Sequence, residues 1–252
     1  MRELTLTALP GIPEVRVGAD LAALVLEAVG RSGKSLESGD VLVIAQKIVS
    51  KAEGRTVRLA GVMPSAQAQA LARTAERDPR MVELMLRESR EVLRVKPGVM
   101  IVEHRLGFVM ASAGIDQSNV PGGDGWVLLL PEHPDASAQR IRDELMRRAG
   151  VDVGIVINDS FGRAWRNGVT GVAIGVAGIP ALVDLRGRAD RGGRALNVTQ
   201  VAAADEIASA ASLLMGQAEE GLPVVLARGF PYARRNGAAA ELVRPRAEDL
   251  FR

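Results

Sequence analysis

Two short apolar runs, Val41–Ala45 and Val153–Ile157, constrain the fold of this chain more than any other feature. Neither run contains a polar side chain, and the turn-forming pair Gly39-Asp40 precedes the first one. A strand that is apolar on both faces is typical of a sheet covered on both sides. The sequence therefore predicts two buried strands, with Val153–Ile157 in a central position.

Helical patterns and strand-like runs alternate through the remaining sequence, which predicts a mixed α/β fold with hairpins and crossovers. The predicted strands are Glu3–Ala8, Val99–Glu103, Gly107–Ser112, Trp126–Leu130, Pro223–Ala227 and the glycine-interrupted segment Val169–Val183. The predicted helices are Ala19–Val29 (ending before Gly30), Ser65–Glu76, Arg80–Val92, Ala136–Ala149 and Ala203–Met215. The sequence lacks a regular βαβ repeat, so a Rossmann fold is not indicated. With no linker or internal repeat in residues 1–252, we expect a single domain.

The segment Ala28–Ser35 matches a relaxed phosphate-binding P-loop pattern that ends in Gly33-Lys34-Ser35. A P-loop follows a strand and opens a helix, so that backbone N–H groups at the helix start face the phosphates. Here a predicted helix precedes the motif and a predicted strand follows it. This order favours a helix end followed by a turn, and we expect no P-loop.

Composition excludes several kinds of protein. The 32 Lys and Arg residues nearly balance the 30 Asp and Glu residues, which argues against a polybasic nucleic-acid-binding or membrane-surface protein. The longest weakly polar run, Val169–Val183, is too short and too rich in glycine to cross a membrane. The absence of cysteine excludes disulfides, iron–sulfur clusters and thiolate zinc sites. Because the N-terminus has no signal-peptide pattern, we expect a cytoplasmic location.

Polar residues follow the first buried strand and form a candidate phosphate site. Lys47 and Lys51, two lysines of a chain that mostly uses arginine, lie four residues apart after Gln46. Ligands of α/β proteins often bind beyond the carboxyl ends of strands, and an ammonium group suits a phosphate. Two solvated surface lysines would give the same pattern.

A second candidate is Ala113–Gly123, where an apolar strand leads to Asp116, Asn119 and a glycine-rich turn. Carboxylate and amide oxygens on a loop are typical ligands of Mg²⁺ or Mn²⁺. An Asx-type turn without a ligand is the alternative.

The most informative segment, Asn158–Gly168, follows the predicted central strand as a polar turn. Asp159, with the hydroxyl group of Ser160 beside it, is suited to hold a metal that binds nucleotide phosphates. Arg163 and Arg166 are candidates for contacts to anionic groups of the substrate, on the basis of charge alone. A salt-bridged loop with core aromatic residues is the alternative.

Together these segments indicate metal-assisted chemistry on a phosphorylated substrate. A Ser/His/Asp triad is not indicated, because neither of the two histidines, His104 and His133, has a nucleophile nearby in the pattern.

Several longer strings occur in the order found in one known family. They are Gly11-Ile-Pro-Glu-Val15, Gln46 with Val49-Ser-Lys-Ala-Glu-Gly54, Ala113-Gly-Ile-Asp-Gln-Ser-Asn-Val120, Asn158-Asp-Ser-Phe-Gly-Arg163, Gly171-Val-Ala-Ile-Gly175 and Leu214-Met-Gly216. Up to about Gly229, the chain resembles the coenzyme F-420-0:L-glutamate ligases, the γ-glutamyl ligases of deazaflavin cofactor synthesis. Its length resembles the stand-alone form, and we expect no fused nitroreductase-like domain.

The resemblance implies a two-lobed α/β fold with mixed and antiparallel sheets, and a GTP-dependent activity. Such a ligase joins L-glutamate to the phospholactyl carboxylate of coenzyme F-420-0 through an acyl phosphate, and then extends the product through γ-linkages. The resemblance also implies a homodimer, two divalent cations (Mg²⁺ or Mn²⁺) and a stimulatory K⁺.

The resemblance further implies roles for residues at matching positions. Nucleotide contacts would come from Ile12, Pro13, Glu14, Val15, Gln46, Lys47, Lys51 and Asn119, and from a closing loop of Met215, Gly216, Gln217, Ala218, Glu219, Glu220, Gly221 and Leu222. Asp116 and Asp159 would bind one metal, and Ser160 and Gln217 would bind the second.

Two positions depart from the family pattern. Ser160 replaces a frequent Thr and keeps the hydroxyl group, whereas Gln217 replaces a Glu found in some relatives and removes a charge. The second metal would then bind more weakly, or would use Glu219 or Glu220 instead. Two other interpretations stay open: a related GTP-dependent amide ligase with another acidic acceptor, and a non-catalytic nucleotide-binding relative.

Overall fold

Helices and strands alternate along residues 3–250, which are the residues that the computed structural model describes. The helices are α1 (Leu21–Arg31), α2 (Gln46–Ala52), α3 (Ala66–Ala75), α4 (Pro79–Arg87), α5 (Pro134–Ala149) and α6 (Ala203–Met215). The strands are β1 (Thr5–Ala8), β2 (Val41–Ala45), β3 (Thr56–Arg58), β4 (Ser89–Lys96), β5 (Val99–His104), β6 (Val109–Ala111), β7 (Trp126–Leu128), β8 (Gly154–Arg163), β9 (Arg166–Ala177), β10 (Val183–Asp184), β11 (Gln200–Val201) and β12 (Val224–Arg228). The predicted mixed α/β class is confirmed.

The main sheet has five strands in the order β1-β12-β2-β8-β9. Its two apolar strands, β2 and β8, run parallel to each other, and the other neighbouring pairs are antiparallel. Both apolar runs of the sequence therefore lie inside the sheet, as predicted. The mixed pairing also agrees with the expectation that this is not a Rossmann fold.

Helices cover both faces of the main sheet. Leu42 and Ile44 of β2 face a cluster that includes residues of α1 and α5, whereas Val41 and Val43 face a cluster that includes residues of α6. Alternate side chains of a strand point to opposite faces, so burial of both sets requires both layers. Each fully buried Val, Leu or Ile side chain contributes roughly 1.5–3 kcal/mol.

A separate apolar cluster lies between α3, α4 and the sheet β4-β5-β6, and it includes Met85 and Met100. The short antiparallel pair β3-β7 contributes Val127 to the same cluster. The resemblance predicts two lobes, and their boundary stays a prediction.

The predicted helix Arg80–Val92 is wrong beyond Arg87. The structure ends α4 at Arg87 and begins β4 at Ser89. Val92 of β4 pairs with Val102 of β5, so pairing across the chain outweighs the local helical pattern. The predicted end of α1 before Gly30 is also wrong, because the helix continues to Arg31.

The polar segment after the central apolar run is a hairpin and not a turn. Strand β8 continues through Asp159 and Ser160 to Arg163, and β9 returns from Arg166. The predicted strand Gly107–Ser112 is confirmed at β6, Val109–Ala111, but a 3₁₀ turn, Ser112–Gly114, separates it from Asp116, which forms an isolated bridge with Leu128 of β7. In both places long-range pairing decides the backbone conformation.

The segment Ala28–Ser35 is the end of α1 and the turn that leads to β2, so it is not a P-loop. No helix within residues 3–250 is both long and apolar enough to cross a membrane.

Candidate active site at the carboxyl ends of two parallel strands

A cavity of about 1030 Å³ lies beyond the carboxyl ends of β2 and β8. The parallel register places Ala45 of β2 beside Asn158 of β8. The next residues, Gln46 at the start of α2 and Asp159, therefore reach the same edge of the sheet. This edge is where ligands of α/β proteins usually bind.

The cavity brings together most of the residues selected from the sequence. Its lining includes Ile12, Pro13, Glu14, Val15, Gln46, Lys47, Lys51, Asp116, Asn119, Asp159, Ser160 and the whole loop from Met215 to Leu222. Their roles toward nucleotide and metal stay predictions. Arg163 and Arg166 are exposed on the β8–β9 hairpin and do not line this cavity.

Asp116 is held by the first turn of α2. Gln46 Nε2 donates to Asp116 Oδ2 at 2.6 Å, and Lys47 Nζ lies 3.1 Å from Asp116 Oδ1. Lys47 Nζ also donates to Ser118 Oγ at 3.0 Å. Burial raises the pKa of the Asp116 carboxyl group, and Lys47 and Gln46 offset part of that rise. The α2 residues thus stabilise the charged form of Asp116.

Asp159 is the more strongly perturbed carboxylate of the pair. Burial and the negative charge of Asp116 raise the pKa of Asp159 to about 7, against a smaller opposing effect of the Ser160 N–H group. That N–H group donates to Asp159 Oδ1 at 2.8 Å. A cation bound beside Asp159 would favour the charged form of its carboxylate.

The donor chemistry of the cavity fits a hard divalent cation. Carboxylate, hydroxyl and amide oxygens are the ligands that Mg²⁺ and Mn²⁺ prefer, and Asp116, Asp159, Ser160 and Gln217 supply them. Within residues 3–250, no group of three or more His, Cys, Asp or Glu side chains is placed to hold a metal ion.

Lys51 provides the buried positive charge of the cavity. Its side chain is only 8% exposed, and its Nζ lies 2.6 Å from Glu14 Oε1, whose side chain is 66% exposed. A buried ammonium group requires a negative partner. Glu14 is the exposed member of the pair, so an incoming phosphate group would compete with it for Lys51.

The loop from Met215 to Leu222 forms one wall of the cavity. Ser160 Oγ donates to Gln217 Oε1 at 2.9 Å, which joins β8 to this loop. Gly216 has a φ of 72°, and a Cβ atom there would overlap the Glu220 carboxylate. That carboxylate accepts a hydrogen bond from Ala218 N, and such backbone bonds lower the pKa of Glu220. The loop is therefore folded back on itself.

Comparisons with known proteins agree with the strings noted in the sequence. The family model described as F420-0:Gamma-glutamyl ligase matches residues 11–229. The chain belongs to this family. It is 45% identical to the coenzyme F420:L-glutamate ligase of Methanothermobacter thermautotrophicus over 99% of both chains. It is 47% identical to the enzyme of the same name from Methanopyrus kandleri, over 95% of this chain and 94% of that one.

The segment shared with the F420-0:gamma-glutamyl ligase family contains the entire cavity lining, from Ile12 to Pro223. Sequence reasoning missed several lining residues: Arg16, Val17, Ala45, Ile48, Thr56, Ser118, Val120, Pro121, Asn158 and Pro223. Asn158, Ser118, Val120 and Pro121 lie in the candidate segments Asn158–Gly168 and Ala113–Gly123, but no pattern gave them a role of their own. Ala45 of β2, Ile48 of α2 and Thr56 of β3 line the cavity from regular elements, and the remaining residues lie in loops.

Proposed function

We propose that this chain is a GTP-dependent ligase that joins the α-amino group of L-glutamate to the phospholactyl carboxylate of coenzyme F-420-0. The reaction passes through an acyl phosphate, and γ-linked glutamates are then added to the product. Family membership supports the ligase activity. The observation that carries the nucleotide-dependent mechanism is one cavity that combines the carboxylate pair Asp116 and Asp159 with the ammonium groups of Lys47 and Lys51.

The chemistry explains why a nucleotide is needed. A free carboxylate repels an amine nucleophile and has no leaving group. When the acceptor carboxylate oxygen attacks the γ-phosphorus of GTP, GDP leaves and an acyl phosphate forms. The glutamate amine then attacks the acyl carbon, loses a proton, and inorganic phosphate leaves. These steps need charge neutralisation and alignment more than a protein nucleophile.

The residues of the cavity would have different roles in this reaction. Lys51 and Lys47 would bind phosphate oxygens, while Ile12, Pro13, Val15 and Asn119 would contact the rest of the nucleotide. Asp116 and Asp159 would hold one divalent cation, and Ser160 and Gln217 a second. When bound, Mg²⁺ or Mn²⁺ supplies neutralisation of the triphosphate charge. The loop from Met215 to Leu222 would exclude water from the acyl phosphate.

We also propose a stimulatory K⁺, a homodimer and a cytoplasmic location, where GTP and glutamate are made.

Apolar side chains on the surface support a self-association site. Leu213 of α6 is 85% exposed and Val169 of β9 is 52% exposed, and α6 packs against β9. Light scattering coupled to size-exclusion chromatography measures the oligomeric state, and Leu213→Arg should shift it toward the monomer.

A mass-spectrometric assay tests the activity. The purified chain is incubated with deazaflavin precursor, L-glutamate, GTP, Mn²⁺ and K⁺, and Asp159→Ala serves as the matched control. We expect products heavier by whole glutamyl residues with the original chain and none with the control. GTP consumption without glutamylated deazaflavin would instead indicate an amide ligase for another acidic acceptor. Binding of GTP without turnover would indicate a non-catalytic relative.

A further inference from the structure

Asn158 is a buried polar residue of the cavity that the proposed mechanism does not use. It is 5% exposed, and its Oδ1 has no hydrogen-bond partner within the described part of the chain. A buried acceptor without a partner destabilises the fold, because nothing replaces its lost hydration. This destabilisation indicates that Asn158 Oδ1 has a partner that is not part of the polypeptide.

The orientation of the Asn158 amide group follows from its other contacts. Its Nδ2 donates to Ser212 Oγ at 3.1 Å and to Met215 Sδ at 3.5 Å, both on α6. A thioether sulfur accepts hydrogen bonds and cannot donate them, so the nitrogen must be the end that faces α6. The oxygen is therefore directed away from Met215, and Asn158 lines the cavity.

The alternation of side chains along β8 divides the polar residues of the cavity into two groups. Asn158 and Ser160 point to the same side as α6, because Asn158 contacts Ser212 and Ser160 contacts Gln217. Asp159, between them in sequence, therefore points to the other side of the strand, and it lines the cavity together with Asp116. One group thus consists of two carboxylates, and the other consists of the neutral oxygens of Asn158, Ser160 and Gln217.

We propose that Asn158 Oδ1 is a third protein oxygen for the second divalent cation, together with Ser160 and Gln217. The inference rests on the proposed function and extends it by one residue. Amide oxygens are regular ligands of hard cations, and a bound cation satisfies the otherwise unpaired acceptor. An additional neutral oxygen partly compensates for the negative charge that is missing because Gln217 stands where some relatives have Glu. Since this group has no carboxylate, it binds the cation more weakly than Asp116 and Asp159 do.

The experiment counts bound Mn²⁺ on the full chain by electron paramagnetic resonance, with a non-hydrolysable GTP analogue present. We expect two ions on the original chain, one tight and one weak. Asn158→Leu should weaken binding of the second ion by about tenfold or more, as loss of a supporting ligand does. Binding of the first ion should stay unchanged. Asn158→Asp should tighten binding of the second ion, because it adds a carboxylate, and the Ser212 hydroxyl, which accepts from Asn158, can turn to donate to that carboxylate.

Ser212→Ala is the matched control, since it removes a partner of Nδ2 and leaves Oδ1 in place. We expect it to weaken binding of the second Mn²⁺ less than Asn158→Leu does, because Oδ1 stays in place and Met215 Sδ still accepts from Nδ2. Circular dichroism and thermal melting establish that each variant is folded, and Asn158→Asp carries the test if Asn158→Leu does not fold.

Three results would overturn the inference. Unchanged binding of both ions by Asn158→Leu and Asn158→Asp would leave the proposed function intact and remove Asn158 from it. A structural role only would follow if Asn158→Leu, Asn158→Asp and Ser212→Ala weakened binding of the second ion equally. Failure of the original chain to bind any Mn²⁺ would contradict the metal-dependent mechanism as well.

Discussion

Gln46 Nε2 donates a 2.6 Å hydrogen bond to Asp116 Oδ2 across 70 residues of sequence. Gln46 is 1% exposed, and its Oε1 accepts a hydrogen bond from Ser50 Oγ at 2.9 Å, so both ends of the amide group are held. Lys47 pairs with the other oxygen of Asp116. The first turn of α2 therefore orients one of the two carboxylates proposed to bind the first cation.

Replacement Gln46→Leu removes the donor while keeping the side-chain size similar. We expect Mn²⁺ at the carboxylate pair to bind about 10–100-fold more weakly, because Asp116 loses the group that orients it. The free energy of unfolding should fall by about 1–3 kcal/mol. Metal titration and urea denaturation measure the two effects. Ser50→Ala is the control and should have a smaller effect on metal binding, and equal effects of both variants would contradict this role of Gln46.

Because Lys51 and Glu14 form an ion pair, we expect substitutions of the two residues to change the KM for GTP in opposite directions. Lys51→Met removes a buried positive charge, and loss of a charged hydrogen bond of about 1.5–3 kcal/mol raises the KM for GTP by roughly 10–100-fold. Glu14→Gln removes the competitor for Lys51 and should lower that KM. Steady-state kinetics at saturating glutamate measures both variants. A rise in the KM for GTP with Glu14→Gln would show that Glu14 does not compete with phosphate.

Two glycines of the closing loop allow a prediction about loop shape. Gly216 has a φ of 72° and a ψ of −177°, a conformation essentially confined to glycine, whereas Gly221 has a φ of 65° and no contact closer than 3.9 Å at its Cβ position. Only at Gly216 does the new methyl group overlap the Glu220 carboxylate. We expect Gly216→Ala to raise the KM for GTP well above the value for Gly221→Ala. Equal KM values for the two variants would contradict a role of this overlap.

The two central strands of the main sheet, and the polar residues at their carboxyl ends, could be predicted from short stretches of sequence. Both apolar runs, Val41–Ala45 and Val153–Ile157, are buried on two faces, so their composition alone identifies them as strands. The polar residues that follow them, such as Lys51 and Asp159, had to reach the edge of the sheet. Parallel pairing of β2 with β8 then brings them to the same edge.

Other features depend on contacts that a single sequence does not reveal. Pairing of β4 with β5 converts the expected end of a helix after Arg87 into a strand. Pairing of β8 with β9 extends a strand through Asp159 and places Arg163 on an exposed hairpin instead of in the cavity. The contribution of Asn158 depends on the position of α6, which the chain reaches only after residue 203.

A buried charge network joins α4 to the segments before β3 and after β5. Glu88 is 7% exposed, and its Oε2 lies 2.9 Å from Arg55 Nη2 and 3.1 Å from Arg105 Nη2. His104 Nε2 lies 3.7 Å from the same oxygen. Burial by itself would raise the pKa of Glu88, but His104, Arg55 and Arg105 together hold that pKa below its ordinary value. The network therefore stabilises the fold only while Glu88 is ionised.

Replacement Glu88→Gln should lower the free energy of unfolding at pH 7 by about 1–3 kcal/mol, because it removes the buried counter-ion of Arg55 and Arg105 and leaves them only the exposed Glu132. A carboxyl group with a lowered pKa contributes its full stabilisation above its ordinary pKa of 4.5, and loses it as the pH falls through the lowered value. The difference between the original chain and the variant should therefore be constant from pH 7 to pH 5 and shrink below pH 4.5. Urea denaturation at each pH measures it, with Glu144→Gln, an exposed carboxylate paired with Arg148, as the control that should have little effect. A difference that stays constant down to pH 3 would mean that the charge of Glu88 does not stabilise the fold.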